Sequence, residues 1–168
     1  MNTHQKPMRI LILDLDGVIN HISPITGQWT NFPADTLGCV KRIISATGCK
    51  IILSSSWRED QQNLNHASAI FERFLEPIFD LTPILKCKVD FNAPDVLSGL
   101  YEPVSVTRTK EIKLWFQSQK NDGVTIDSWC AVDDWKLDLP TSNFIRTDWK
   151  IGITPEQADR VIEILNRQ

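Results

Sequence analysis

The apolar positions of this chain fall into short unbroken runs, separated by longer stretches in which they recur every three or four residues. Ile10-Leu11-Ile12-Leu13 is the first run. It is too short for a typical helix and predicts a buried strand over residues 9–14. Leu37, Val40, Ile43 and Ile44 then recur at helical spacing over 34–47, with Gly48 as the stop. Ile51-Ile52-Leu53 predicts a second strand, and Leu64, Ala67, Ile70, Phe71, Phe74 and Leu75 predict a helix over 62–76. Ile84-Leu85 is expected to be a third strand. Ile112, Trp115 and Phe116 mark a helix from about 109 to 119. Trp129 to Val132 and Asn143 to Arg146 give the fourth and fifth strands. The last helix has a full start signal, with Thr154 as cap, Pro155 in the first position and Gln157 completing a capping box. Residues 18–32, with Pro24 and Gly27, predict a loop that forms a short flap. Lys86 to Val106, broken by Pro94, Gly99 and Pro103, has no legible period. Strands alternating with helices predict a three-layer α/β fold around a mainly parallel sheet of about five strands.

Composition narrows this only modestly. A length of 168 residues fits a single domain, 1–168, with a real core. The net charge of −3 argues against a broad electrostatic grip on duplex nucleic acid but leaves room for a local basic pocket. No apolar stretch is long enough to span a membrane, and the N-terminus does not read as a secretory signal. Cys39, Cys49, Cys87 and Cys130 are far apart, with no Cys-x-x-Cys pair, so reduced buried thiols in a cytoplasmic protein are expected.

The chemistry lies where the strands end. Asp14-Leu15-Asp16-Gly17 follows the first apolar run directly. Residues two apart in an extended segment point the same way, so Asp14 and Asp16 project together at the strand's C-terminal end, where Gly17 permits a sharp turn. In parallel sheets that end is the ligand-binding edge. Two carboxylates there repel each other unless a cation or proton joins them, and an all-oxygen pair favours Mg²⁺. A calcium loop is excluded, because positions 18, 19 and 25 are Val, Ile and Ile where it needs a ligand, Gly and Glu. Ser54 and Ser55 end the second strand and Asp133-Asp134 the fourth, so three polar clusters are expected on one sheet edge. Trp29, Trp57 and Trp135 are placed to border that edge, either packing its wall or stacking a base.

With these motifs in hand, the chain resembles the haloacid dehalogenase-like (HAD-like) phosphohydrolase superfamily. Leu13 to Val18 is similar to its first motif, Leu53-Ser54-Ser55 to its second, and Asp133-Asp134-Trp135-Lys136-Leu137-Asp138 to its fourth. The pieces Ser55 to Arg58, Arg108 to Phe116 and Gly152 to Thr154 resemble the small branch of HAD domains found in multi-domain RNA repair proteins. The resemblance implies a Rossmann-like sandwich with a minimal cap. It implies Asp14 as a nucleophile forming an aspartyl-phosphate, and Asp16 as general acid and then base. It implies Mg²⁺ held by the Asp14 side chain, the Asp16 carbonyl and Asp134, with Asp138 acting through water. Asp133 is as well suited to capping a helix start as to any metal role. Ser54 or Ser55 would bind the phosphate, and the basic residue of the third motif would be Arg108 or Lys110. Arg58 is a further candidate phosphate contact.

The resulting expectation is a Mg²⁺-dependent phosphatase of phosphorylated substrates, among them terminal phosphates of nucleic acids or nucleotides. A protein or small-metabolite phosphatase and a non-catalytic phosphate-binding module are the alternatives. The 37 residues or so between the first two motifs leave space for a flap only, which favours an open site.

Overall fold

A computed structural model describes residues 8–85 and 104–167. Its elements in chain order are β1 (Arg9–Leu13), α1 (Ala34–Thr47), β2 (Lys50–Leu53), a single 3₁₀ turn (Ser56–Glu59), α2 (Gln61–Phe74), β3 (Ile78–Leu81), α3 (Val104–Asn121), β4 (Ser128–Asp133), β5 (Phe144–Arg146) and α4 (Pro155–Leu165). The five strands form one sheet in the order β3-β2-β1-β4-β5. Every pairing is parallel.

The two-residue alternation of β1 sorts the core into two layers. Leu11 and Leu13 face a cluster with Val40 and Ile43 of α1, Phe71 of α2, and Val161 and Leu165 of α4. Ile10 and Ile12 face the opposite cluster, built on Ile112 and Trp115 of α3. β1 is central and buried on both sides, which is why its sequence is continuously apolar. Helix ends follow their local chemistry. Gly48 closes α1 in the left-handed conformation, with its N–H donating to the Ile44 carbonyl at 2.8 Å. The Thr154/Gln157 capping box starts α4, a device that contributes about 1 kcal/mol.

The third strand differs from expectation. It is Ile78–Leu81, not Ile84-Leu85. As an edge strand it is only half-buried, and Asp80 interrupts its apolar run, accepting a 2.7 Å hydrogen bond from the Trp115 indole. Thr82 still donates to the Leu53 carbonyl at 3.0 Å. Pro83 has no N–H to continue the ladder, and Ile84 is exposed. α3 begins at Val104, five residues earlier than predicted. Its first turns carry Val104, Val106, Thr107 and Thr109, β-branched residues that lower helix propensity and hid its start. Most of the stretch from Lys86 to Val106, residues 86–103, lies outside the described residues.

The strand registers set up the site. Leu13 pairs with Leu53 on one side and with Val132 on the other. The next residues, Asp14, Ser54 and Asp133, therefore leave three adjacent strands in one row. The Asp14 N–H donates to the Val132 carbonyl at 3.1 Å, and the Ser54 N–H to the Leu13 carbonyl at 2.9 Å. No helix among the described residues is long and apolar enough to cross a membrane. Cys39, Cys49 and Cys130 are free and buried, and burial pushes each thiol pKa up.

Candidate active site

Beyond β1 the chain folds back on itself in a tight turn. The Leu15 carbonyl accepts from the N–H groups of Ile19 and Asn20 at 2.8 and 2.9 Å, and Gly17 has φ +82°. Gly17 is required here twice over. Its φ is in the left-handed region, and a Cβ would lie 2.5 Å from the Asp134 carboxyl carbon. That close approach brings the turn after β1 against the turn after β4. A ligating oxygen from each of Asp14, Asp133 and Asp134 consequently lies within 4.8 Å of the others.

Among the described residues, one guanidinium bonds these carboxylates directly. Arg108, on the second turn of α3, is buried and sends its Nη1 to Asp14 Oδ2 at 2.5 Å and to Asp133 Oδ2 at 2.8 Å. The other Asp14 oxygen accepts from the Leu15 N–H at 2.8 Å, and Asp133 Oδ1 accepts from the Trp135 N–H at 2.8 Å. Asp133 thus holds the turn after β4 and anchors Arg108. Burial, reinforced by the neighbouring Asp14 charge, raises the Asp133 pKa in spite of Arg108. The same two causes push Asp134 up to about 6. Asp134 Oδ1 is buried and has no hydrogen-bond partner among the described residues. Arg108 and the more distant Arg146 do not offset the burial and mutual repulsion of these carboxylates, since Asp133 and Asp134 remain raised. An oxygen-only group with a solvent-excluded, unpartnered oxygen and excess negative charge fits a hard divalent cation such as Mg²⁺.

Asp16 is held separately. Its Oδ1 accepts from the Asn20 side-chain amide at 2.9 Å and its Oδ2 from the Trp57 indole N–H at 2.8 Å. Asn20 also accepts from the Phe32 N–H at 2.7 Å, which ties the end of the flap to the same carboxylate. The Trp57 ring packs edge-on against Phe32 at 5.6 Å and stacks on His66 at 6.1 Å. The flap itself is a small hairpin, bridged at Ile22 and Trp29. An open cleft of about 570 Å³ lies over these groups. Its lining includes Asp14, Asp16, Arg108 and Asp134, the cations Lys136 and Arg146, and the indoles of Trp29, Trp135 and Trp149.

The family model described as "HAD domain in Swiss Army Knife RNA repair proteins" matches residues 10–158. The chain belongs to this HAD family. No curated protein matches it significantly. Among solved structures it is similar to D,D-heptose 1.7-bisphosphate phosphatase from B. bronchiseptica, complexed with magnesium and phosphate, at 17% identity and a TM-score of 0.41, covering 76% of this chain and 70% of that one.

The residues that the HAD resemblance singled out are distributed unevenly. Asp14, Asp16, Asp134 and Arg108 share the cleft. Lys110 is exposed on α3 and is not among the lining residues. Asp138 is not brought to the acidic cluster. Its side chain is 95% exposed and pairs with Lys113 at 3.3 Å. Ser54 and Ser55 are buried and do not line the cleft. The Ser54 hydroxyl accepts from Thr82 at 3.5 Å, and the Ser55 hydroxyl caps the 3₁₀ turn through the Trp57 N–H. Ser56 is the neighbouring serine that lines the cleft. Arg58 is not directed at the site. It donates to the carbonyls of Ser54, Ser55 and Thr82 and pairs with buried Glu111. Asn20, Ser56, Lys136, Arg146 and Trp149 were not candidates from the sequence. Asn20 had a usable signal, an amide side chain closing the turn four residues after Asp16; Trp149 had none.

Proposed function

We propose that this protein is a Mg²⁺-dependent phosphatase that acts through an aspartyl-phosphate on Asp14 and removes terminal phosphates from nucleic acids. The observation that carries this reading is the meeting of Asp14, Asp134 and Arg108 at the ends of two adjacent parallel strands, under an open cleft. A module that only bound phosphate would gain nothing from three carboxylates, which repel the ligand.

The chemistry follows from the residues present. A substrate phosphate entering the cleft meets Arg108, Lys136 and Arg146, which offset its charge. The Leu15 N–H fixes the rotation of the Asp14 carboxylate. An Asp14 oxygen forms a bond to phosphorus as the bond to the leaving oxygen breaks, and Asp16 gives that oxygen a proton. Asp16 then takes a proton from a water that attacks the same phosphorus, the Asp14–phosphorus bond breaks, and inorganic phosphate leaves. Asn20 and Trp57 hold Asp16 in place through both steps. Mg²⁺, held by the carboxylates of Asp14 and Asp134 and by the Asp16 carbonyl, would supply the remaining positive charge for the phosphate oxygens.

The preference for nucleic-acid ends is supported by the family match and by a cleft open enough for a polymer terminus. Its test is phosphate release from 3′- and 5′-phosphorylated oligonucleotides, phosphopeptides and sugar phosphates, with Mg²⁺ and with EDTA. Release from oligonucleotides that EDTA abolishes is the expected result. Faster turnover of phosphopeptides or sugar phosphates would overturn the substrate assignment, and no release from any of them would overturn the activity.

A further inference from the structure

The six tryptophans divide by exposure. Trp115 is buried, and Trp57 and Trp129 are half-buried. Trp29, Trp135 and Trp149 are each about half exposed, and all three line the cleft over Asp14. An indole left in water forfeits the large burial gain it would have in a core. Concentrating every well-exposed indole around one charged cleft is therefore a pattern that packing does not explain.

Two of these rings form a continuous surface. The Trp29 and Trp149 centroids are 6.4 Å apart with their planes tilted by 43°. They come from distant parts of the chain, each on a braced turn. Trp29 is on the flap hairpin, where Thr30 donates to the His21 carbonyl at 2.8 Å. Trp149 is in the turn from Asp148 to Gly152, closed by the Gly152 N–H on the Asp148 carbonyl at 2.8 Å. Lys150 lies 5.2 Å from the Trp149 ring centroid, and Lys136 and Arg146 line the same cleft.

We infer that Trp29 and Trp149 form a stacking platform for the nucleobase next to the terminal phosphate of a single-stranded nucleic acid. This inference rests on the proposed phosphatase reading for the position of the phosphate, not for the existence of the platform. An exposed aromatic surface beside an anion site selects ligands that carry a π-face and a phosphate together. A duplex does not offer its base faces to such a surface, whereas an unpaired end does. An overall charge of −3 gives the protein little long-range attraction for a polyanion, so stacking and local cations carry the affinity.

The test uses the full chain carrying Asp14→Asn, so that phosphate stays on the ligand. Anisotropy is measured with short fluorescent oligonucleotides, 3′- or 5′-phosphorylated, with and without an abasic terminal position, and with a phosphopeptide as the competing class. Trp29→Ala and Trp149→Ala are each expected to weaken oligonucleotide binding by about tenfold, while Trp29→Phe and Trp149→Phe retain most of it. The abasic end is expected to bind as weakly to the parent as the normal end binds to the alanine variants. Quenching of tryptophan fluorescence should accompany binding of the normal end only. Equal binding of normal and abasic ends, full affinity in the alanine variants, no binding at all, or tighter binding of the phosphopeptide would each overturn the platform. Phosphate release by the unsubstituted protein from the same 3′- and 5′-phosphorylated oligonucleotides is measured in parallel. Its absence, with base-dependent binding intact, would remove the phosphatase reading and leave the platform standing.

Discussion

Two buried arginines stand on either side of the β1–β2 strand ends and do opposite work. Arg58 is enclosed by backbone. Nε donates to Thr82, Nη1 to Ser54 and Ser55, Nη2 to Pro83, and the charge is answered by Glu111. Glu111 in turn accepts from the Leu85 N–H at 2.8 Å. Arg108 makes both of its bonds among the described residues from a single nitrogen, and both go to carboxylates at the edge of an open cleft. The first arginine stitches the carbonyls at the ends of β2 and β3 together. The second holds carboxylates that have other chemistry to do. Both arginines are buried and both meet a carboxylate, so what separates the structural guanidinium from the reactive one is whether its carboxylate partner lines the cleft, as Asp14 does and Glu111 does not.

The largest effects should fall on opposite observables. Arg108→Ala is expected to lower turnover by about 10²–10³-fold, read by phosphate release, with a smaller loss of stability, because Asp133 is already raised in pKa by burial and can accept a proton. Glu111→Ala is expected to cost about 3–5 kcal/mol by urea denaturation, since it leaves Arg58 buried and uncompensated. Comparable turnover losses from both, at matched folded fraction, would erase the distinction.

Lysine sharpens it. Arg108→Lys keeps a point charge between two carboxylates and is expected to retain activity within about tenfold. Arg58→Lys cannot reach carbonyls in several directions with one ammonium and is expected to destabilise by about 2 kcal/mol. Trp57→Phe removes one donor from Asp16 while keeping the ring in place. A fall in kcat of about tenfold with KM unchanged is expected, and a change in KM alone would contradict a positioning role.

Smaller effects concern pH. The Asp134 carboxyl rises from 3.8 to about 6 in the folded protein. Between these values the native state holds more protons than the unfolded one, so this group's contribution to stability declines as pH rises through the window. Without metal, the melting temperature of the parent should therefore fall relative to that of Asp134→Asn between about pH 4 and pH 6. Mg²⁺ should raise it more above that window than below. Parallel curves for the two proteins would contradict the assignment. Lys110→Ala and Asp138→Ala, in contrast, should change turnover by less than about twofold.

The legibility of this molecule in its sequence follows burial. β1 is packed on both faces, so its apolar run was continuous and its terminal Asp14 and Asp16 stood out. β3 sits at an edge, and one acid at Asp80 was enough to move its expected position six residues downstream. The opening turns of α3 disappeared behind β-branched residues, whose propensity for helix is low. Arg108, with Lys110 beside it, could be named because the HAD resemblance places the basic residue of the third motif just before the helix marked by Ile112 and Trp115. Arg58 could not be assigned, because its acceptors are main-chain carbonyls and those leave no mark in a sequence. Asp138 looked like part of the acidic motif by spacing, yet its side chain leaves the turn toward solvent and Lys113.

The most direct measurement is to quench the protein with borohydride during turnover of a phosphorylated substrate and to map the modified residue by tandem mass spectrometry. An acyl-phosphate on Asp14 is reduced to homoserine at that position, and only while substrate is being consumed. Homoserine at residue 14, absent without substrate and absent in Asp14→Asn, is the expected result. Sustained phosphate release with residue 14 unmodified, or undiminished release by Asp14→Asn, would show that the attack on phosphorus comes from elsewhere.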